Sequence, residues 1–196
     1  MVTLDAIPFP LEWHPEPASW KAESGVLSVE AAQETDLFVD PFGGKGVTNA
    51  PKLLFEPQGD FSLRAHVRVN FSGTFDAGAL VVFQDDMSWG KLCLEFSPQR
   101  EPMIVSVVTK GSSDDCNSVV LDGTGVHLRC VRIGQGFAMH YSLDGLYWRL
   151  VRAFALPEGP VRAGFLAQAP RGAGCHVQFS AITLERSTPG DLRSGE

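Results

Sequence analysis

The chain has 196 residues, 44% of them hydrophobic and 20% charged, with a net charge of −7; it can bury a sizeable core without disulfides or metals. That balance, with no basic run anywhere, argues against a nucleic-acid partner, which demands clustered Lys and Arg. Met1 to Pro10 has no basic start followed by an apolar core, and no apolar stretch nears the roughly 20 residues of a membrane span, so no membrane partner is expected and the expected compartment is the cytoplasm.

Alternation with period two dominates the chain and the helical period is nearly absent. Trp20 to Ala22 and Val26 to Glu30 read as an opening hairpin around Gly25, followed by a Gly/Pro-rich loop from Asp40 to Pro51. In Phe61 to Phe71, Phe61, Leu63, Ala65, Val67, Val69 and Phe71 fall on one face, and Ser62, Arg64, His66, Arg68 and Asn70 on the other. That is a long strand with one face on a core. Ala79 to Gln84 is apolar throughout, as in a strand buried on both faces. Trp89 to Phe96 alternates again, and Met103 to Thr109 is β-branched and apolar. Thr109 to Cys116 reads as a hydroxyl- and acid-rich loop. Val126 to Ile133 and Gly136 to Ser142 flank a tight Gly134-Gln135 turn, and Gly145 to Phe154 follows a hairpin turn at Asp144-Gly145. Val161 to Ala169 and Cys175 to Glu185 complete the series. Roughly a dozen strands at this spacing predict an all-β, two-sheet antiparallel sandwich. A single domain over 1–185 is expected, with a flexible polar tail over 186–196.

Few residues are arranged for chemistry. Cys93, Cys116, Cys130 and Cys175 form no C-x-x-C pair, so reduced thiols are expected, with no metal and no cofactor. The stretch Gly43 to Thr48 lacks the G-x-x-x-x-G-K-[ST] spacing of a phosphate loop. On the face of its strand away from the core, Trp89 stands with Lys91, Cys93 and Glu95. At ~3.3 Å per residue, Lys91 and Glu95 lie about 13 Å apart and cannot pair directly. An aromatic ring with flanking charges on a curved sheet suits a sugar, whose C–H faces stack and whose hydroxyls bond the charges. The plainer alternative is a salt-bridged strand face. His66 and Arg64, and Arg152 with Trp148 and Leu150, have the parity to join such a face. A lone His is more often structural, and Arg152 has the alternative of snorkelling at an edge. Ser113 and Asp115 would sit at a cleft rim or offer oxygens to a hard cation; the calcium-loop spacing is missing, and a solvated turn is the plainer reading. Glycoside hydrolysis needs two carboxylates about 5–10 Å apart. The strand offers Glu95 alone, so an enzyme would need a second group such as His66 or Asp115.

Several segments taken in order carry a family resemblance over about Phe9 to Leu184. They are Thr35-Asp36-Leu37-Phe38, Gly59-Asp60-Phe61, Ala77 to Val82, Trp89-Gly90-Lys91 with Glu95, Ser106 to Thr109, Ser113-Asp114, Tyr141-Ser142 with Asp144-Gly145, Trp148, and Ala169-Pro170. The chain resembles an uncharacterised domain family that includes YesU-like bacterial proteins and the fungal regulation-of-enolase protein. The resemblance implies a concanavalin A-like jelly roll, related in fold to lectins and glucanases, and no established activity. Lys91, Glu95, Thr109 and Ser113 match positions of the family pattern. Asp115-Cys116 stands where many relatives are expected to have a Trp, which removes an aromatic platform from that segment.

Three functions follow as expectations. The first is a cytosolic module binding a carbohydrate or glycoside through Trp89, Lys91, Glu95, Thr109, Ser113, Arg152 and His66. The second is an enzyme on a small sugar or sugar-like metabolite, with Glu95 as acid or base. The third is a regulatory domain that binds a partner protein through an apolar patch or a free sheet edge.

Overall fold

In the computed structural model, which describes all 196 residues, the alternating pattern is realised as two antiparallel sheets. The strands are β1 (Val2–Leu4), β2 (Ile7–His14), β3 (Ser19–Glu23), β4 (Val26–Ala32), β5 (Lys52–Phe55), β6 (Phe61–Asn70), β7 (Ala77–Asp85), β8 (Ser88–Phe96), β9 (Pro102–Lys110), β10 (Ser112–Val120), β11 (Gly125–Ile133), β12 (Gly136–Ser142), β13 (Arg149–Ala155), β14 (Arg162–Gln168) and β15 (Gly174–Glu185). An eight-stranded sheet runs β1-β2-β5-β14-β7-β8-β9-β10, and a seven-stranded sheet runs β13-β12-β11-β6-β15-β4-β3. The chain is an all-β sandwich. No helix is long and apolar enough to cross a membrane.

The main core lies between the sheets. Leu63, Ala65, Val67 and Val69 of β6 meet Leu80 and Val82 of β7, Leu92 and Leu94 of β8, and Phe165 of β14. Close approach of the layers needs a residue without a side chain at Gly90. A Cβ there would lie 2.5 Å from Phe154 Cζ and 3.4 Å from Met139 Cε. Gly90→Ala is expected to cost about 1–3 kcal/mol by overpacking, read as a lower urea midpoint at unchanged m-value.

The eight-stranded sheet also carries a second apolar cluster on its outer face. Val81, Trp89, Cys93, Val105 and Leu166 pack there against Leu37 and Ala50. Those last two belong to the 33–51 connection between β4 and β5, which holds itself down as a cover. Phe38 and Val47 bridge within it, Thr35 bridges to Ala169, and Ala50 N donates to Asp36 O at 3.0 Å. With apolar layers on both sides, β7 and β9 read as continuous apolar runs.

Several elements differ from the sequence reading. β1 and β2 escape it because Pro8 and Pro10 interrupt the alternation, and β5 because its four buried residues are flanked by Pro51 and Pro57. The expected loop from Thr109 to Cys116 is instead the end of β9, a turn at Gly111 and the start of β10, an edge strand paired with β9 from Ser112↔Lys110 to Asn117↔Val105 and, after a shift of register, at Val120↔Met103. Its polarity belongs to an edge that resists strand addition. β13 begins at Arg149 rather than Gly145, because Asp144 Oδ1 accepts bonds from Leu146 N and Tyr147 N, both 2.9 Å, and shapes the intervening loop. The polar 186–196 segment lies across the outer face of the seven-stranded sheet. Trp148 N donates to Gly195 O at 2.9 Å, Arg129 Nη1 donates to Glu196 O, and His140 Nε2 sits 3.0 Å from Leu192 O. Burial, then the Arg129 charge, holds His140 down to about 4, so its imidazole is neutral and Nε2 donates.

Candidate functional site

Parity places Trp89, Lys91, Cys93 and Glu95 on the outer face of β8, and the cover decides what they can do. Trp89 and Cys93 are fully buried, Lys91 is 2% exposed and Glu95 9%. The Trp89 indole nitrogen donates to Asp86 O at 3.2 Å. This ring is therefore not the open stacking surface anticipated from sequence; it is floor for the cover.

Beyond Lys91 a cavity of about 270 Å³ opens between the cover and the sheet. Asp36, Phe38, Asp40 and Lys45 line it from the cover. Phe75, Lys91, Glu95, Val107, Asp115, Gln168, Pro170 and Arg171 line it from the sheet and its connections. Lys91 Nζ donates to Gln168 Oε1 at 2.7 Å and lies 3.7 Å from Asp36 Oδ1. Gln168 is oriented in turn by donating from Nε2 to Phe75 O at 3.2 Å. Asp36 is held by its own amide on Asn49 Oδ1 and by Leu37 N on its Oδ1.

Lys91 thus pairs with Asp36, and its charge also reaches the carboxyls of Glu95 and Asp115. Burial pushes the Glu95 carboxyl up to about 8; Lys91 pulls it back, while Asp115 and Asp36 push it further. Asp115 is also pushed up, chiefly by burial, with Lys91 and the Cys116 amide opposing. At neutral pH Glu95 therefore keeps its proton and can donate. The cavity presents an ammonium, an acid O–H, carboxylate oxygens and an amide beside the rings of Phe38 and Phe75.

Thr109 and Ser113 lie on the same face but serve the cover rather than the cavity. Their hydroxyl oxygens are 2.7 Å apart; Ser113 Oγ accepts from Val39 N at 2.9 Å, and Ser113 N donates to Val39 O at 2.8 Å. Ser113→Ala is expected to cost about 1–2 kcal/mol and to speed hydrogen exchange at the Val39 amide. An unchanged Val39 rate would show that the cover is held by other means.

Arg152 and His66 are placed elsewhere. Arg152 Nη2 lies 2.7 Å from Asp114 Oδ2. Asp114 precedes Asp115 on β10 and so points to the opposite face. Arg152 ties the rims of the two sheets together and does not enter the cavity. His66 stands on the outer face of the seven-stranded sheet beside His127, ring centroids 4.6 Å apart, with the main core between it and Glu95. It is no partner for that acid. Conversely, Asp36, Phe38, Phe75 and Gln168 line the cavity, although parity and motif spacing do not mark them as site residues. Asp36 and Phe38 belong to the Thr35-Asp36-Leu37-Phe38 segment, and Gln168 is a lone polar residue closing an apolar strand; those were the available signals. No group of three or more His, Cys, Asp or Glu is disposed to hold a metal ion.

Residues 13–187 match the family described as a protein of unknown function, DUF1349. The chain belongs to that family. It is 27% identical over 174 residues to Regulation of enolase protein 1 of Saccharomyces cerevisiae, covering 88% of this chain and 87% of that protein. The crystal structure of a functionally unknown protein from Saccharomyces cerevisiae superposes with a TM-score of 0.85 at 26% identity, over 91% of this chain and 97% of that one. More distant likenesses are of fold alone. The GH43 protein BlXynB of Bacillus licheniformis matches with a TM-score of 0.69 at 16% identity, and this chain spans only 36% of its length. The exoplasmic/lumenal domain of VIP36, solved with Ca²⁺ and Man3GlcNAc bound, matches with a TM-score of 0.55 at 11% identity over 93% of this chain and 85% of that one.

Proposed function

We propose that this DUF1349 chain binds a small carbohydrate or glycoside in the cavity beneath the 33–51 cover. Lys91, Glu95, Asp36, Asp115 and Gln168 bond its hydroxyls, and Phe38 and Phe75 face its C–H surfaces. The observation that carries the reading is the Lys91–Gln168 bond of 2.7 Å beside the buried acid Glu95. Donors and acceptors are already oriented there and need little rearrangement to meet a polyol. A cavity of about 270 Å³ suits one sugar ring or a chain end better than a long polymer. The fold shared with VIP36, whose structure holds Man3GlcNAc, supports the reading by analogy. The cytosol is the proposed compartment, supported by four free thiols.

Calorimetric titration of a monosaccharide and glycoside panel tests this. At least one sugar should saturate the wild type, with affinity about tenfold weaker in Gln168→Ala. A flat response across the panel refutes it. One observation favours a second reading: a protonated Glu95 with Asp115 and Asp36 at hand resembles the acid and base of glycoside hydrolysis. Nitrophenol release from nitrophenyl glycosides, abolished in Glu95→Gln, would establish an enzyme; saturable binding without release leaves a binding protein.

A further inference from the structure

The 33–51 cover crosses the outer face of the eight-stranded sheet and leaves a second cavity on its far side, about 550 Å³ in volume. Two cations reach it. Lys52 is 2% exposed, and its Nζ donates to Ala50 O at 2.9 Å and Thr48 O at 3.1 Å. An ammonium has three protons, so one remains unused. Arg162 Nη1 lies 3.2 Å from His14 Nε2, a contact that makes the imidazole nitrogen the acceptor and leaves most of the guanidinium fork unbonded. Both cations pack on a single ring: Lys52 Nζ is 5.4 Å and Arg162 Cζ 5.2 Å from the centroid of Phe83.

Neither cation has a carboxylate within ion-pair distance, although the chain carries an excess of seven negative charges. Lys91, by contrast, has the Asp36 carboxylate 3.7 Å away. A buried ammonium without a counter-ion is costly, and its strain shows in Lys52, which burial first and then the Arg162 and Lys91 charges draw down to about 8 against the pull of Asp86. The cavity wall holds one more unspent donor. The indole N–H of Trp13 is buried without a partner.

We propose that this cavity is a second binding site, for the carboxylate or phosphate group of a small metabolite. The guanidinium fork of Arg162 takes two oxygens of the anion, as its planar geometry favours. Lys52 supplies the third proton and the second charge. Trp13 and Phe83 give the body of the ligand apolar contact. Asp85 and Asp86 also line the cavity; they repel a polyanion and limit the site to a compact charge held by Arg162 and Lys52. The site uses no side chain assigned above to the sugar cavity, so the two stand or fall separately.

Tryptophan fluorescence, with Trp13 as reporter, tests the site by titration with inorganic phosphate, D-glucuronate, glucose 6-phosphate and neutral glucose at constant ionic strength. Saturation by a phosphate or by glucuronate, about tenfold weaker in Arg162→Gln and unchanged in Gln168→Ala, is the expected result. Which anion saturates identifies the group. NMR titration of His14 gives a second readout, because an anion beside Arg162 raises the imidazole pKa. Lys52→Met should weaken binding likewise; if that variant does not fold, Arg162→Gln decides alone. No saturation by any anion to about 20 mM, or equal affinity in Arg162→Gln, overturns the site.

Discussion

Replacing Glu95 with Gln is expected to stabilise the protein at pH 8 and to flatten its loss of stability between about pH 6.5 and 8. The carboxyl sits at about 8 in the folded chain against an ordinary 4.5. Between those values the folded state holds a proton that the unfolded chain has released. The contribution is thus fully present below pH 4.5 and disappears as pH rises through 8. At about 1.4 kcal/mol per unit, the whole window is worth up to about 5 kcal/mol. Other groups act outside its upper part. His140, held down to about 4, adds stability as pH rises from there to its ordinary value near 6.5. Lys52, held down to about 8, adds stability only above that pH. Urea midpoints of wild type and Glu95→Gln at half-unit steps from pH 6.5 to 8 should therefore diverge, the wild type falling and the variant holding. Parallel curves would mean that Glu95 is ionised in the folded protein, and the proton-donating role assigned to it would fail. Sugar binding should follow the same limb, weakening in the wild type as pH passes 8.

Side-chain parity carried much of this architecture into the sequence. The ten residues of β6 alternate so regularly that strand, core face and solvent face can all be read from them. The same parity puts Lys91 and Glu95 on the outer face of β8, where they are found. It is silent about what covers that face. Leu37 opens a short apolar run, Leu37-Phe38-Val39, and Ala50 stands alone, in a segment with Pro41, Gly43 and Gly44; nothing periodic announces that they pack with Trp89. Cover and cavity arise from contacts between residues far apart in the chain, such as Val39 with Ser113 and Lys91 with Gln168. Arg152 went astray for a related reason. Its role depends on which face of β10 carries Asp114, and β10 looked like a loop because an edge strand keeps a polar sequence. The tail is held largely through main-chain oxygens, which leave no mark on side-chain pattern.

Lys91→Met is expected to cost about 3–5 kcal/mol at pH 7.5, the range for removing one side of a buried charge cluster. Methionine keeps most of the length of lysine and can still pack on Trp89, whose ring lies 5.7 Å from Nζ, so the loss is electrostatic rather than a cavity. Without the ammonium, Gln168 Oε1 loses its donor and Asp36 loses its cation 3.7 Å away. Glu95 and Asp115 lose the charge that restrains them, and both move further toward the protonated form. Protonation is the cheapest relief open to the cluster. The penalty should therefore shrink at pH 5.5, where Asp115 takes up its proton more readily. Glu95 is already mainly neutral at pH 7, so a double-mutant cycle of Lys91→Met with Glu95→Gln should show weak coupling. The cycle with Asp36→Asn should exceed about 1 kcal/mol. A penalty below about 1 kcal/mol, equal at both pH values, would reduce Lys91 to a buried spacer and leave the cavity without the cation on which its chemistry turns.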